Sequence, residues 1–541
     1  MASSDIPPPG ASEADGAGPA SGALDLAGED GRPRRLKVGD VVAVARRQRP
    51  VAPLVVDPGG QRPLEQEMVA SRAWVESEVA AEAAGECRAV YGINTGFGAL
   101  AGRRAFQSAY LSRVLSWNLL VSHAAGAGEV LPEDVVRATA FIRSHQLAQG
   151  RSGVRVEVVN RLLAILNAGV YPIIPSMGSL GASGDLAPLA HLALVIARPP
   201  VSGPGDPEVP VADAVADVWA PVAVGAGGGA APGDAPRRKV DARTAMAPLG
   251  GQIELGAKEG LALNNGATVS AALLALAVAD AEILLDHAEL AVAMSLEAAM
   301  GFRDAFLPEV MAARPHPGAA LAARRILEYV AGSTLLDPAS RDLDPVRVPP
   351  QDPYSLRCAP QVLGAARDAV AFTRRTAETE INSAVDNPLV MLDLPRSYKT
   401  VSCGNFHGAP VGYALDLLKI VVTDVASMSE RRIFKLIDYR FDDAPRRDIG
   451  LPLFLASSPP DLEGLNSGLM IPQYTAAALV SASKTLAHPD SVDSIPSSAG
   501  QEDHVSMSMN AGLHARTILD RCRTVLAAID PEAVPGVKTV A

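Results

Sequence analysis

Apolar residues recur at helical spacing through most of the chain. Val158, Leu162, Ile165 and Leu166 follow an i, i+4, i+7, i+8 pattern, and Gly169 stands where a C-terminal cap belongs, which predicts an amphipathic helix there. Long Ala/Leu/Val-rich segments at 261–300, 408–437, 473–488 and 505–528 read in the same way. Asp416 to Arg432 begins on an acid and ends on two arginines, the charge order that a helix dipole favours. The stretch from Leu261 to Met300 is the most apolar, but Asp280, Glu282, Asp286 and His287 recur on one side of it. It therefore reads as a long packed helix and not as a membrane span. Strand signals are few and short, and no repeat of solenoid period is present. The pattern predicts a mainly α protein, a bundle of long packed helices with Gly-rich motifs on its loops.

Composition divides the chain. Residues 1–33 are rich in Pro, Gly, Ser, Ala and acid, with too little bulk to offset the entropy of ordering, and are expected to form a disordered tail. Residues 34–198 form an N-terminal portion. Residues 199–243 carry "PPVSGPGDPEVP" and "GAGGGAAPGDAPRR" and are expected to be a flexible insertion, far longer than an ordinary loop. Residues 244–541 form the helical-bundle portion, whose C-terminal end is short: 39 residues follow Glu502.

At 541 residues and 48% hydrophobic, the chain can bury a large core. The net charge of -12 argues against nucleic acid or an anionic membrane as the main partner, because both select clustered Lys and Arg. Cys87, Cys358, Cys403 and Cys522 are scattered without a CxxC pair, so neither a disulfide framework nor a zinc site is expected. The N-terminal residues carry acids and no apolar h-region, so the expected location is the cytoplasm.

The candidate chemistry sits in "GSLGASGDLAPLAH", residues 178–191. A serine elbow G-x-S-x-G fails, since Asp185 stands where its last glycine belongs, and no phosphate-binding G-x-x-x-x-G-K-[ST] surrounds it. Two readings remain. One is a tight turn before a helix. The other is backbone condensation: Gly184 offers an unhindered attacking amide, Ala182 the attacked carbonyl and Ser183 a hydroxyl that can leave. Loss of water then gives a methylidene-imidazolone ring, an electrophile that no ordinary side chain supplies.

The motifs around this tripeptide resemble those of the aromatic amino acid lyase family, over roughly residues 36–530 apart from the insertion. They run in order: "YGINTGFG" from Tyr91, "SHAAGAG" from Ser122, the 178–191 stretch, "QDPYSLRCAPQVLG" from Gln351, "NSAVDNPLV" from Asn382, "GNFHG" from Gly404, "GLNSGLMIPQ" from Gly464 and "SVDSIPSSAGQEDHVSM" from Ser491. The resemblance implies a long-helix bundle with a smaller Gly-rich N-terminal portion, assembled as a homotetramer whose sites draw residues from more than one subunit. It also implies that the cofactor is 4-methylidene-imidazol-5-one made from Ala182, Ser183 and Gly184, with no metal or external cofactor.

By the same resemblance, Tyr91 is a general acid or base beside the ring, and its phenol would need neighbouring donors or positive charge to ionise. Tyr354 and Glu502 join the catalytic set. Arg357 holds the substrate carboxylate with its planar fork, Gln351 and Asn265 add polar contacts, and Phe406 is an apolar wall. His123, preceded by Ser122, resembles the branch of the family that acts on histidine. Glu502 agrees, because a carboxylate can pair with an imidazole but is left unpaired beside a phenyl ring. The expected reaction is deamination of L-histidine to trans-urocanate and ammonia. A tyrosine or phenylalanine lyase, an aminomutase, and an inactive structural relative are the alternatives. The chain departs from the resemblance at Asn264, where similar sequences are apolar, and at Ala267, where they carry Thr.

Overall fold

The most apolar stretch of the sequence runs through the centre of the molecule. In the computed structural model it forms the 31-residue helix Thr268–Ala298, whose most apolar window has a mean hydropathy of 1.9 and is 78% buried inside the protein. The structure describes residues 22–46, 49–83, 89–101, 108–222, 236–336, 351–395, 398–437, 451–456 and 464–527. Around the central helix pack Glu133–Leu147, Ala359–Glu380, Ala409–Ile437 and Ser508–Leu526, with Met470–Leu486 against the last two. The polar stripe of the central helix explains the packing. Asp280 meets Arg46, Glu282 accepts both 2.7 Å bonds from Arg374, and Asp286 accepts from Arg367 at 2.6 Å. Glu289, fully buried one turn further, accepts from Arg325 and Arg367 at 2.7 Å, as a buried carboxylate must be paired.

The 261–300 segment is not one helix. Glu259–Asn264 and Thr268–Ala298 are separate, because the chain turns at Gly266, whose φ of +125° only glycine adopts readily. Asp416 and Arg432, read as helix ends, instead lie buried inside Ala409–Ile437; Asp416 accepts the N–H groups of Asp490 and Ser491 at 3.1 and 2.9 Å. The predicted helix over Val158–Leu166 is Val156–Asn167, and Gly169 follows it with φ +67°.

Two expectations on the N-terminal side are corrected. Residues 22–33, placed in the disordered tail, are anchored: Leu24 and Leu26 are fully buried, and Leu24 exchanges backbone bonds of 2.8 Å with Pro50 and Ala52. Residues 1–21 of that tail lie outside the described residues. The 199–243 insertion is partly a sheet. Asp217–Pro221 pairs antiparallel with Arg237–Asp241 and, on its other edge, with Tyr171–Pro172. The Arg237 guanidinium covers the Tyr171 ring at 4.4 Å, and the Trp117 indole N–H donates to Ala212 O at 2.7 Å. Residues 223–235 lie outside the described residues.

One hydrophobic core runs from Leu24 to Val525, so the N-terminal portion and the helical bundle share it. A short antiparallel pair, Ala127–Val130 with Pro175–Met177, delivers the chain to residue 178.

Candidate active site

Ala182-Ser183-Gly184 lies against the turn that separates the two central helices. Gly184 and Gly266 form a parallel bridge in which the Gly266 N–H donates to Ser183 O at 3.1 Å and the Asp185 N–H donates to Gly266 O at 2.9 Å. The bridge therefore leaves the Gly184 nitrogen, the atom required to attack, outside its own bonds. The Asn265 side-chain amide also donates to Ser183 O, at 2.9 Å. Gly184 has φ +75°, and a Cβ on it would come 2.0 Å from the Gly266 carbonyl carbon, so no other residue fits. The residues present thus fit the ring-forming chemistry: a bare amide nitrogen, a buried small residue before it and a clamped carbonyl between them.

The rest of the loop is fixed by groups far along the chain. Met507 N–H donates to Leu180 O at 2.9 Å, and Gly408 N–H and Ser506 Oγ both donate to Gly181 O at 3.0 Å. The Ser183 hydroxyl donates to Glu502 Oε1 at 2.7 Å, and Ser497 Oγ donates to the other carboxylate oxygen at 2.7 Å. Phe406 is half-buried in the 404–408 turn whose last residue bonds Gly181.

Tyr91 and His123 approach the same carboxylate. The Gly98–Leu100 turn of the Tyr91 loop packs against Ser498–Gly500, just before Glu502. Burial holds the Tyr91 phenol above its ordinary value; the Gly98 N–H, at 3.3 Å, pulls it down, and the Glu502 charge pushes it up. In the single chain the protonated form is therefore favoured, and the Gly98 N–H alone does not meet the need for donors or positive charge. His123 ends the helix Ala109–His123, and burial pushes its pKa down. Its Nδ1 lies 2.8 Å from Leu119 O, a contact that requires the proton on Nδ1 and leaves Nε2 with a bare lone pair.

Gln351, Tyr354 and Arg357 are elsewhere. Phe302, just past the C-terminal end of the central helix, donates its N–H to Asp352 at 2.7 Å, while Thr268 at the other end bonds Gly266. At about 1.5 Å per residue the helix places these ends roughly 45 Å apart. A second helix agrees: Ala409–Ile437 begins beside Gly181, and its Arg432 donates to Ser355 O at 3.3 Å. Gln351 and Tyr354 are exposed there, and Arg357 lies over the Tyr354 ring at 4.5 Å with its Nε donating to Asp352 O at 2.8 Å. One chain thus assembles Tyr91, His123, Ala182, Ser183, Gly184, Asn265 and Glu502 near the Phe406 turn, and holds Gln351, Tyr354 and Arg357 at the opposite end of the bundle.

Sequence reasoning missed the groups that hold the tripeptide in place. Asp185 is fully buried and accepts from Ser179 Oγ at 2.7 Å and from Ser270 N and Oγ at 2.8 and 2.9 Å, tying the loop to the start of the central helix. An acid directly after the tripeptide was the available signal. Arg143, buried, donates to Asn265 O at 2.6 Å and to Thr268 Oγ1 at 3.2 Å, and so shapes the turn. Its helical context offered no signal.

Comparison with known proteins bears on the family of the chain. The family model described as aromatic amino acid lyase matches residues 36–538. The chain is similar to the histidine ammonia-lyase of Gloeobacter violaceus, with 45% identity over 493 residues, 91% of this chain and 84% of that one. Among solved structures it is similar to histidine ammonia-lyase from Trypanosoma cruzi, at 33% identity with a TM-score of 0.73, covering 94% of this chain and 83% of that one. It is also similar to tyrosine aminomutase from Streptomyces globisporus, at 30% identity with a TM-score of 0.74, covering 94% and 86%. A match of this extent establishes that the chain belongs to the aromatic amino acid lyase family.

Proposed function

We propose that this chain is an ammonia-lyase that deaminates L-histidine to trans-urocanate. The observation that carries the reading is the convergence on Ser183, whose hydroxyl meets Glu502 and whose carbonyl takes two donors, Asn265 Nδ2 and Gly266 N–H. The ring formed from Ala182, Ser183 and Gly184 would supply an electrophile for the substrate amine. The residues around it then have distinct tasks. Two donors aimed at one carbonyl oxygen stabilise negative charge there, as an oxyanion hole does. Glu502 offers a carboxylate to the substrate ammonium or to an imidazole N–H. His123 Nε2, bare and neutral, accepts a hydrogen bond from an imidazole N–H but finds no partner on a phenyl ring. The Tyr91 phenol, beside the same carboxylate, is a general acid or base.

The substrate carboxylate needs a cation, and Arg357 of the same chain is roughly 45 Å away along the central helix. A second copy must therefore supply Tyr354 and Arg357, and that copy's guanidinium would also draw the Tyr91 phenol towards ionisation. The exposed apolar residues Ile283, Leu290 and Met294 on the central helix, with Tyr413 and Ile420 on Ala409–Ile437 and Ile471 and Tyr474 on Met470–Leu486, support association of copies into a homotetramer. Cys358, Cys403 and Cys522 are free thiols, which supports a reducing, cytoplasmic setting. The test is a substrate panel of L-histidine, L-tyrosine and L-phenylalanine, followed by ammonia release and the ultraviolet absorbance of the conjugated acid. Release from histidine is expected. Release from tyrosine or phenylalanine in its place overturns the reading, and a β-amino acid without ammonia identifies an aminomutase.

A further inference from the structure

Glu502 reaches Ser183 from a loop that has little hold of its own. Between Val492 and His504 only Ser494, Ser497 and Glu502 are half-buried, and the rest is exposed. The loop folds back on itself through Ser497 N–H to Glu502 O at 2.9 Å and Val505 N–H to Ser494 Oγ at 3.0 Å. Beyond itself it meets Ser183, the Gly98–Leu100 turn and His407, whose Nε2 lies 3.1 Å from His504 O. Its exit is fixed: Val505 is fully buried, Met507 N–H is tied to Leu180 O, and Ser508 Oγ lies 2.8 Å from Ser270 Oγ. Its entry is fixed by charge. Lys419, fully buried in Ala409–Ile437, donates to His488 O at 2.8 Å, to Asp416 Oδ1 at 2.7 Å and to Asp490 Oδ2. Asp416 also accepts the Asp490 and Ser491 N–H groups, and His514 Nδ1, on Ser508–Leu526, lies 2.9 Å from Asp490 Oδ2.

Resting on the reading of Glu502 given above, we propose that Lys419 is a positioning residue for Glu502, because it joins two carboxylates where the 492–504 loop leaves the bundle. A buried cation is kept only where it is paired, and here both partners are acids that would otherwise repel one another. Without the ammonium, Asp416 and Asp490 face each other across the space it filled. Asp416 projects from inside a packed helix, so the repulsion is relieved by moving the 488–491 segment, which lies at the surface, off that helix. The exit at 505–508 uses none of these groups. Loss of Lys419 therefore frees one end of the Glu502 loop and leaves in place the bonds to Leu180 and Gly181 that hold the loop of the tripeptide. A displacement of about 1 Å at a reacting group, caused from a distance, lowers rates by about 10²-fold.

The test compares the full-length parent, Lys419→Met, Glu502→Gln and the variant carrying both substitutions. Intact mass is expected to show the completed ring in Lys419→Met. Its turnover of L-histidine is expected to be about 10–100-fold below that of the parent. The same substitution made in Glu502→Gln is expected to lower turnover by less than about threefold, since a residue that acts through Glu502 then has nothing left to place. Amide exchange, read by mass spectrometry, is expected to quicken in Lys419→Met over 492–504 and not over 505–508. Parent-like turnover, an equal fold loss in both backgrounds, a missing ring, or unchanged exchange over 492–504 overturns the assignment. If Lys419→Met does not fold, Asp490→Asn takes its place in every comparison, because it cuts the same pair from the loop side and leaves Lys419 paired with Asp416. Failure of both to fold overturns the assignment, since the pair would then hold the fold and not the loop. A parent that releases no ammonia from histidine overturns the deamination reading instead, and the exchange over 492–504 then decides the role of Lys419.

Discussion

Ser183 and Glu502 are 319 residues apart in the chain, yet the hydroxyl of one donates to the carboxylate of the other at 2.7 Å. In the proposed function the hydroxyl is the group that leaves when the ring forms, and the carboxylate then faces the substrate. Glu502→Gln keeps the size and removes the charge. Turnover is expected to fall by about 10²–10⁴-fold, the range for a positioned acid or base. Turnover like that of the parent would remove Glu502 from the catalytic set.

Gly184→Ala tests the bridge to Gly266. The new Cβ would meet backbone at 2.0 Å, and neither strand of the bridge can move without breaking the bonds to Ser183 O and Gly266 O. Steric conflict of this kind, added to a left-handed φ, is expected to destabilise by more than about 3 kcal/mol and to prevent ring formation. Intact mass and thermal melting read the two effects. A completed ring in a protein that melts like the parent contradicts the geometry.

The separation of Ser183 from Arg357 along the central helix makes a prediction about mixtures. Ser183→Ala and Arg357→Ala are each expected to be inactive alone. In co-expressed, mixed assemblies some sites combine an intact Ser183 from one copy with an intact Arg357 from another, restoring about a quarter of the parent activity if chains assort at random. Absence of any restored activity would place the whole site in one chain.

Much of this arrangement was legible from sequence, and the failures have particular causes. The helices over 409–437 and 508–526 follow from uninterrupted apolar periodicity. Gly184 and Ser183 were readable because the chemistry needs those residue types. Asn265 and Glu502 were readable only through resemblance, as nothing local brings residue 502 to residue 183. The break at Gly266 was hidden inside an apolar run, where periodicity alone passes over a single glycine. The strands Asp217–Pro221 and Arg237–Asp241 were masked by the Pro and Gly between them, and are held by Tyr171, a residue outside the segment. The state of the Tyr91 phenol was not legible, because it depends on a balance of burial against a single N–H donor that no sequence displays.

His145 gives the fold a pH dependence. It is fully buried beside Asn382, whose amide also bonds both the N–H and the carbonyl of Leu36, and burial pushes its pKa down to about 4. The unfolded chain binds the proton more readily, so stability is fully present above about pH 6.5 and is lost as pH falls towards 4, by about 3 kcal/mol in all. Melting temperature against pH is expected to be flatter for His145→Gln over that window. Identical profiles would assign the acid sensitivity to other groups.

The most direct measurement pairs intact mass with turnover in one preparation of the parent protein and of Ser183→Ala. The account predicts that the parent has lost two waters and converts L-histidine to an ultraviolet-absorbing acid with stoichiometric ammonia, and that Ser183→Ala has lost neither water and converts nothing. A parent chain of full, unaltered mass that still releases ammonia from histidine, or a Ser183→Ala variant that works as well as the parent, would contradict it.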